Sequence, residues 1–196
     1  MAVVPTGDAR ERILDAAQEL FAHHGYDATP TARVAAVAGV PKGLLFYHFS
    51  RKIDLLTALF GERMPPAVPH DVADVVVAGD VAGSLLALAD RMAEVDHGSV
   101  MVRTILWREA DTHPEVARCL HRFLDEVVDF AARVIERADP RRTSRDARNA
   151  AALAWASTVS MAMNTARLGG AQLDLPRVAA LLAAALGAHP LPTPAT

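Results

Sequence analysis

Apolar side chains recur three and four residues apart along most of the chain, the spacing that gathers them on one face of an α-helix. Ile13, Leu14, Ala17, Leu20 and Phe21 form the first such stripe. Asp8 and Glu11 precede or open it at capping-box spacing and Gly25 follows it, so a helix is expected over about 9–23. Thr29 and Pro30 supply the cap and first position of a second helix, with Val34, Ala35 and Ala38 inward and Gly39 ending it. A third is expected from Pro41 to about Phe49. A fourth begins near Arg51, carries Ile53, Leu55, Leu56, Leu59 and Phe60, and runs to the Pro-Pro-Ala-Val-Pro stretch at 65–69. The second and third span about two turns each, too short to persist alone in water, so they must lean on the helices around them.

The same periodicity continues beyond the proline-rich joint. A helix over 80–95 has Leu85, Leu88, Ala89 and Met92 on one face, ended by His97 and Gly98, and another over 99–109 turns Val102, Ile105 and Leu106 inward. Thr112 and Glu115 form a second capping-box pair, opening a helix to about Ala138 with Val116, Leu120, Phe123, Leu124, Val127, Phe130, Val134 and Ile135. Ser144 caps a helix to about Arg167 after the turn at 138–144. A Gly-Gly turn at 168–172 leads to Pro176, which starts a last helix with Val178, Leu181, Leu182, Ala185 and Leu186. Val75–Val77 alone suits a strand, but no partner strand is evident, and the tail 189–196 is expected to be loose. The fold class is all-α, with a unit at 1–62 and a larger helical body at 63–196.

Composition agrees with that class: 39 of 196 residues are alanine, the best helix former, and 52% are hydrophobic. One cysteine, Cys119, excludes an internal disulfide framework and a cysteine-rich metal site, which makes a reducing, cytoplasmic setting the default. The N-terminus has no signal-peptide pattern, and the most apolar run is about half of what a membrane span needs. His113 and His121 lie two turns apart with Cys119 off their shared stripe and no second ligand cluster, so no metal and no cofactor are expected. No nucleophile, base and acid stand at a convincing spacing for an enzyme.

The long helix at 145–167 is apolar on nearly every side, which suits a central helix or a subunit interface. Leu153, Ala156, Ser157 and Ser160 from it, with Leu181 and Leu182 from the last helix, are the interface candidates for a four-helix arrangement between two subunits. A small-molecule pocket belongs between helices of the larger body. Its candidate lining is Met101, Trp107, Phe123, Phe130, Trp155, Met161 and Asn164, with Arg103 or His121 to orient a polar group. Each of these residues also suits plain core or interface packing.

Charge alone points weakly. The chain carries a formal charge of -3, and residues 1–62 hold six Lys or Arg against seven Asp or Glu. Yet both lysines of the chain, Lys42 and Lys52, fall inside Gly-Val-Pro-Lys-Gly-Leu-Leu-Phe-Tyr-His-Phe-Ser-Arg-Lys, beside aromatics and a histidine. Two short helices joined at Ala38-Gly39-Val40 and braced by longer ones make a helix-turn-helix unit. Gly43 lets its second helix approach another surface closely. Lys42, Tyr47, His48 and Lys52 are the polar groups in and beside that helix, and Arg33 on the preceding one is placed for a phosphate.

Gly25-Tyr26-Asp27-Ala28-Thr29, Val34-Ala35, Ala38-Gly39-Val40, Lys42-Gly43, Phe46-Tyr47-His48-Phe49, Lys52 and Leu55-Leu56 together resemble the DNA-binding region of the TetR family of transcriptional regulators, over about residues 10–60. The resemblance implies a homodimer on palindromic operator DNA, usually a repressor, released when a small molecule enters the C-terminal body. By correspondence it implies Thr29 as cap and phosphate contact, and Lys42 and Leu44 at the reading face. Tyr47 and His48 would lie near the backbone and Lys52 at a phosphate. Pro41 stands where the family often has serine, Leu44 where a small residue is common, and Phe46 where tyrosine is usual. Arg51 and Ile53 depart from the familiar Ser-Lys-Glu run and remove its cap. The competing readings are an all-helical enzyme and a structural or protein-binding helical dimer that does not read DNA.

Overall fold

The structure is a computed structural model describing residues 8–64, 66, 68–96, 100–139, 143–167 and 173–187. The expected helix end at His97-Gly98, the Gly-Gly turn and the tail lie outside these residues. Among the described residues the elements are α1 (Ala9–His24), α2 (Thr31–Val37), α3 (Lys42–His48), α4 (Lys52–Arg63), α5 (Val81–Asp96), α6 (Val100–Glu109), α7 (Pro114–Ala138), α8 (Arg145–Arg167) and α9 (Leu175–Gly187). The all-α expectation holds. Val75–Val77 form no strand: Val72–Asp74 make a single 3-10 turn, and Val77 has one isolated bridge to Asp80.

Backbone contacts divide the chain into two compact units that do not follow the chain order. The first comprises Met1–Pro65 with His97–Arg122, the second Pro66–Asp96 with Phe123–Thr196. In the first unit the inward stripes of α1 and α4 close over α2 and α3. Ile13, Leu14, Phe21, Val34, Leu45, Leu55, Leu56 and Leu59 are fully buried there, together with Ile105 and Val116 from α6 and α7. Burying one such aliphatic side chain contributes about 1.5–3 kcal/mol, which is how two-turn helices are held in place. Ion pairs across the rim join α1 to α4: Arg10 pairs with Glu62, and Arg63 reaches Glu11 at 2.6 Å and Asp15 at 2.8 Å.

The second unit packs α5, α7, α8 and α9 around Leu85, Leu88, Phe130, Val134, Ile135 and Trp155. Ser144 caps α8 as expected, its hydroxyl accepting the Ala147 N–H at 3.2 Å. Leu181 and Ala185, expected inside, face out of α9, while Ala179 and Leu186 are its buried residues.

Three other caps differ from expectation. Asp8 makes no side-chain cap on α1. Helix α7 starts at Pro114, two residues past Thr112, because a proline at the first helical position gives up no hydrogen bond there. The N-cap position of α2 is Pro30, not Thr29.

At α4 the Ser-Lys-Glu cap expected to be lost is replaced from inside the first turn. The Asp54 carboxylate accepts the Arg51 backbone N–H at 2.9 Å and its guanidinium at 2.7 Å. The Arg51 side chain, through these bonds, holds the Asp54 carboxyl below its ordinary pKa. A depressed folded-state pKa means that this stabilisation is present above the ordinary carboxylate value near 4 and is lost as pH falls through the folded one. Asp54→Ala is therefore expected to lower the melting temperature near pH 7, with the gap from wild type shrinking toward about pH 3. A constant gap across that range would contradict the assignment.

Candidate nucleic-acid interface

The turn between α2 and α3 follows from its residues. Gly39 takes φ 65°, a left-handed conformation that costs glycine little, and the Val40 N–H returns to the Ala35 carbonyl at 3.0 Å. Val34 and Val40 are buried beneath the turn. On α3, Leu45 and the following Phe49 point inward, leaving Lys42, Gly43, Phe46 and Tyr47 outward and Leu44 and His48 at the margins. The outward set is spaced i, i+1, i+4, i+5, one face of a helix. Tyr47 is 82% exposed, its ring meeting only the His48 ring, edge-on with centroids 5.3 Å apart, among the described residues, an uncommon position for so large an aromatic.

Among the described residues nothing requires glycine at position 43. A Cβ built on it meets nothing within 4 Å. Glycine in a helix costs about 0.5–1 kcal/mol against alanine, so a bare backbone here favours close approach by something outside the chain. Gly43→Ala is expected to raise the melting temperature while weakening duplex binding several-fold. Unchanged binding would remove Gly43 from the interface.

The electrostatics of this stretch are sharper than the count over 1–62 suggested. From Asp27 to Asp54 there is no intervening acidic residue, while Arg33, Lys42, Arg51 and Lys52 all fall between them. That window was legible in the sequence and is hidden by averaging over the whole unit. Arg33 is exposed on α2, with its guanidinium 3.0 Å from His24 Nε2. Lys52 is half-buried: its ammonium lies 4.2 Å from the centre of the Tyr26 ring and donates to the Asp27 carbonyl at 3.3 Å. Burial lowers the Lys52 pKa, against the pull of Asp27 and Glu109.

Thr29 is fully buried, and its hydroxyl donates to the Gly25 carbonyl at 2.8 Å. It closes the C-terminal end of α1 instead of capping α2, so its side chain has no free donor for a phosphate. Its part in the site is to fix the loop that leads into α2.

A second support comes from residues far along the chain. Glu109, at the end of α6, is 6% exposed and accepts the Tyr26 N–H at 3.2 Å and Arg108 Nε at 2.9 Å. Arg108 in turn donates to the Phe21 and Ala22 carbonyls, which lie in the last turn of α1 where helix carbonyls lack partners. The His113 ring packs edge-on against Tyr26 with centroids 4.6 Å apart. Its Nε2 is 3.6 Å from Glu109 and 3.8 Å from Asp27, both beyond hydrogen-bond length. The α6–α7 corner thus grips the loop between α1 and α2 through one buried carboxylate.

The effector-site candidates are not drawn into one cluster. Met101, Arg103, Trp107 and His121 belong to the first unit, with Arg103 buried and His121 exposed. Phe130 and Trp155 are buried together in the core of the second unit, with Phe123 against it. Met161 is exposed, and Asn164 donates to the Ser160 carbonyl of its own helix at 3.1 Å. The Trp155 indole N–H is buried without a hydrogen-bond partner. Of the interface candidates, Leu153, Ser157 and Leu181 are exposed and Ser160 and Leu182 half-buried, while Ala156 is part of the core.

A buried two-helix corner presenting the outer face of α3, in an acid-free basic stretch, defines a helix-turn-helix protein. Residues 13–59 match the family model described as bacterial regulatory proteins, tetR family. The Mycolicibacterium smegmatis transcriptional activator FasR is 30% identical over 115 residues, 58% of this chain and 52% of its own length. The Bacillus subtilis fatty acid metabolism regulator protein is 26% identical over 51% of this chain and 53% of its own. The chain therefore spans about half the length of these two relatives. The Corynebacterium glutamicum repressor AcnR is 29% identical over 62% of this chain and 79% of its own. Among solved structures, Salmonella enterica GusR shares the fold with a TM-score of 0.66 at 17% identity, covering 92% of this chain and 96% of its own. Over residues 13–59 the chain is thus similar to the bacterial regulatory proteins of the tetR family.

Proposed function

We propose that the chain is a ligand-responsive transcriptional regulator, a repressor that binds palindromic operator DNA as a homodimer and is released by a small molecule. Residues 1–62 act as the DNA-reading domain and 63–196 as the effector and dimerisation domain. The observation that carries this reading is the outward face of α3, set on a rigid buried corner and flanked by Arg33, Lys42, Arg51 and Lys52 with no carboxylate between Asp27 and Asp54. Lys42, Gly43, Leu44 and Tyr47 meet the groove, while Arg33, His48 and Lys52 serve the backbone and Thr29 locks the loop behind them. The Lys52 ammonium uses one of its three donors on the Asp27 carbonyl and keeps the others for a phosphate.

Dimerisation supplies what one two-turn helix lacks. Two copies held about 35 Å apart on one DNA face add their contacts and impose a half-site spacing. The exposed Leu153, Met161 and Leu181 favour α8 and α9 as the faces that meet. Effector release follows if the ligand favours a separation of the two reading units that fits the operator poorly. The unpartnered Trp155 N–H favours a ligand that is mostly apolar with one hydrogen-bond acceptor. Titrating the purified chain against the promoter DNA beside its own gene, with and without apolar small molecules that carry one hydrogen-bond acceptor, tests the reading. Sequence-selective binding that weakens with salt and with ligand is expected. Absent or salt-insensitive binding would overturn it.

A further inference from the structure

The outward face of α3 is unusual in what it offers a base pair. Lys42 and Tyr47 are its polar members, and no Arg, Asn, Gln, Ser or Thr occurs from Lys42 to His48. The fork of an arginine on guanine and the amide of Asn or Gln on adenine are therefore absent there, and Lys42 is the one side chain of the face able to reach guanine O6 and N7. What the face does offer is an apolar surface. Phe46 is 40% exposed, one turn from Lys42, whose ammonium stands 5.8 Å from the ring centre, and Gly43 beside it leaves the backbone bare. The inward side of the helix is already satisfied by Leu45 and Phe49, so the packing of the first unit does not call for an aromatic at 46.

A major groove presents one apolar group, the C5 methyl of thymine. We propose that Phe46 is a specificity-determining residue that reads thymine 5-methyl groups, with Lys42 holding the neighbouring position by charge. The inference rests on α3 entering the major groove and adds which chemistry of the groove it recognises. Half-sites for this chain then carry thymine at fixed positions under α3. A core without thymine would offer Phe46 no methyl group to meet.

The test uses the full-length chain and a duplex pool of random sequence, from which bound sequences are selected. Each thymine of the selected half-site is then replaced by deoxyuridine, which removes only the methyl group. At one or two positions per half-site the wild-type chain is expected to lose about fourfold in affinity, the loss set by one methyl-sized apolar contact. With Phe46→Ala the same replacements should cost nothing, and with Phe46→Leu part of the dependence should return. Since Phe46 is on the surface, both variants should keep the wild-type melting temperature. Selective binding that ignores every deoxyuridine, or equal losses for wild type and Phe46→Ala, would overturn this inference and leave the regulator reading intact. A change in oligomeric state on Phe46→Ala with unchanged DNA selection would also overturn it, placing the ring in a protein contact. Failure to select any duplex would overturn both.

Discussion

Glu109→Ala is expected to destabilise the chain by about 1–3 kcal/mol, because it strands the buried Tyr26 N–H and removes the carboxylate partner of Arg108. The grip of the α6–α7 corner on the loop between α1 and α2 then loosens. Operator affinity should fall with it, since that loop leads directly into α2. Glu109→Gln keeps one oxygen for the Tyr26 N–H and should restore part of both losses. Melting curves and duplex titrations on the same preparations check this. A Glu109→Ala chain as stable as wild type would mean that the buried carboxylate is not the support described here.

The second large effect concerns the outer faces of α8 and α9. Leu153 and Leu181 are 58% and 63% exposed, and a charge placed on each costs the isolated subunit little. Leu153→Glu with Leu181→Glu should therefore leave the fold intact and yield a monomer by light scattering. Operator affinity should drop by about a hundredfold or more, as two linked contacts become one. A double variant that remains dimeric would move the subunit contact elsewhere. A monomer with full affinity would remove the need for two copies.

Helical periodicity carried nearly all of the architecture. The stripes on α1, α4, α5 and α6 are buried apart from Ile53, which is half-buried, because a 3.6-residue repeat of apolar groups has few other ways to leave water. Caps were less legible, since one hydroxyl or carboxylate has several uses. Thr29 closes α1 where a cap on α2 was expected, and Asp54 caps a helix whose usual capping residues are absent. Asp174, accepting the Arg177 N–H at 3.0 Å, went unread beside the more conspicuous Pro176.

The site divided along the same line. Its outward face was legible from Lys42, Gly43 and Tyr47, all local in sequence. Of the two phenylalanines, Phe49 packs between the short helices and Phe46 is left at the surface, a division that residue type alone does not reveal. The Glu109 support was out of reach, since nothing local marks a pairing with Tyr26, 83 residues distant. Arg103 and Trp107 on α6 fall in the unit that contains α3, and residue type alone does not reveal that placement.

The central claim is that α3 lies in the major groove, with a second copy one helical turn away. A photo-reactive phenylalanine analogue in place of Tyr47, the most exposed aromatic of that face, tests it most directly on a selected duplex. Cross-links to major-groove base edges at two symmetric positions about 35 Å apart, weakened by salt, are expected. Cross-links that form only within or between protein chains, on a duplex shown to be bound, would contradict it.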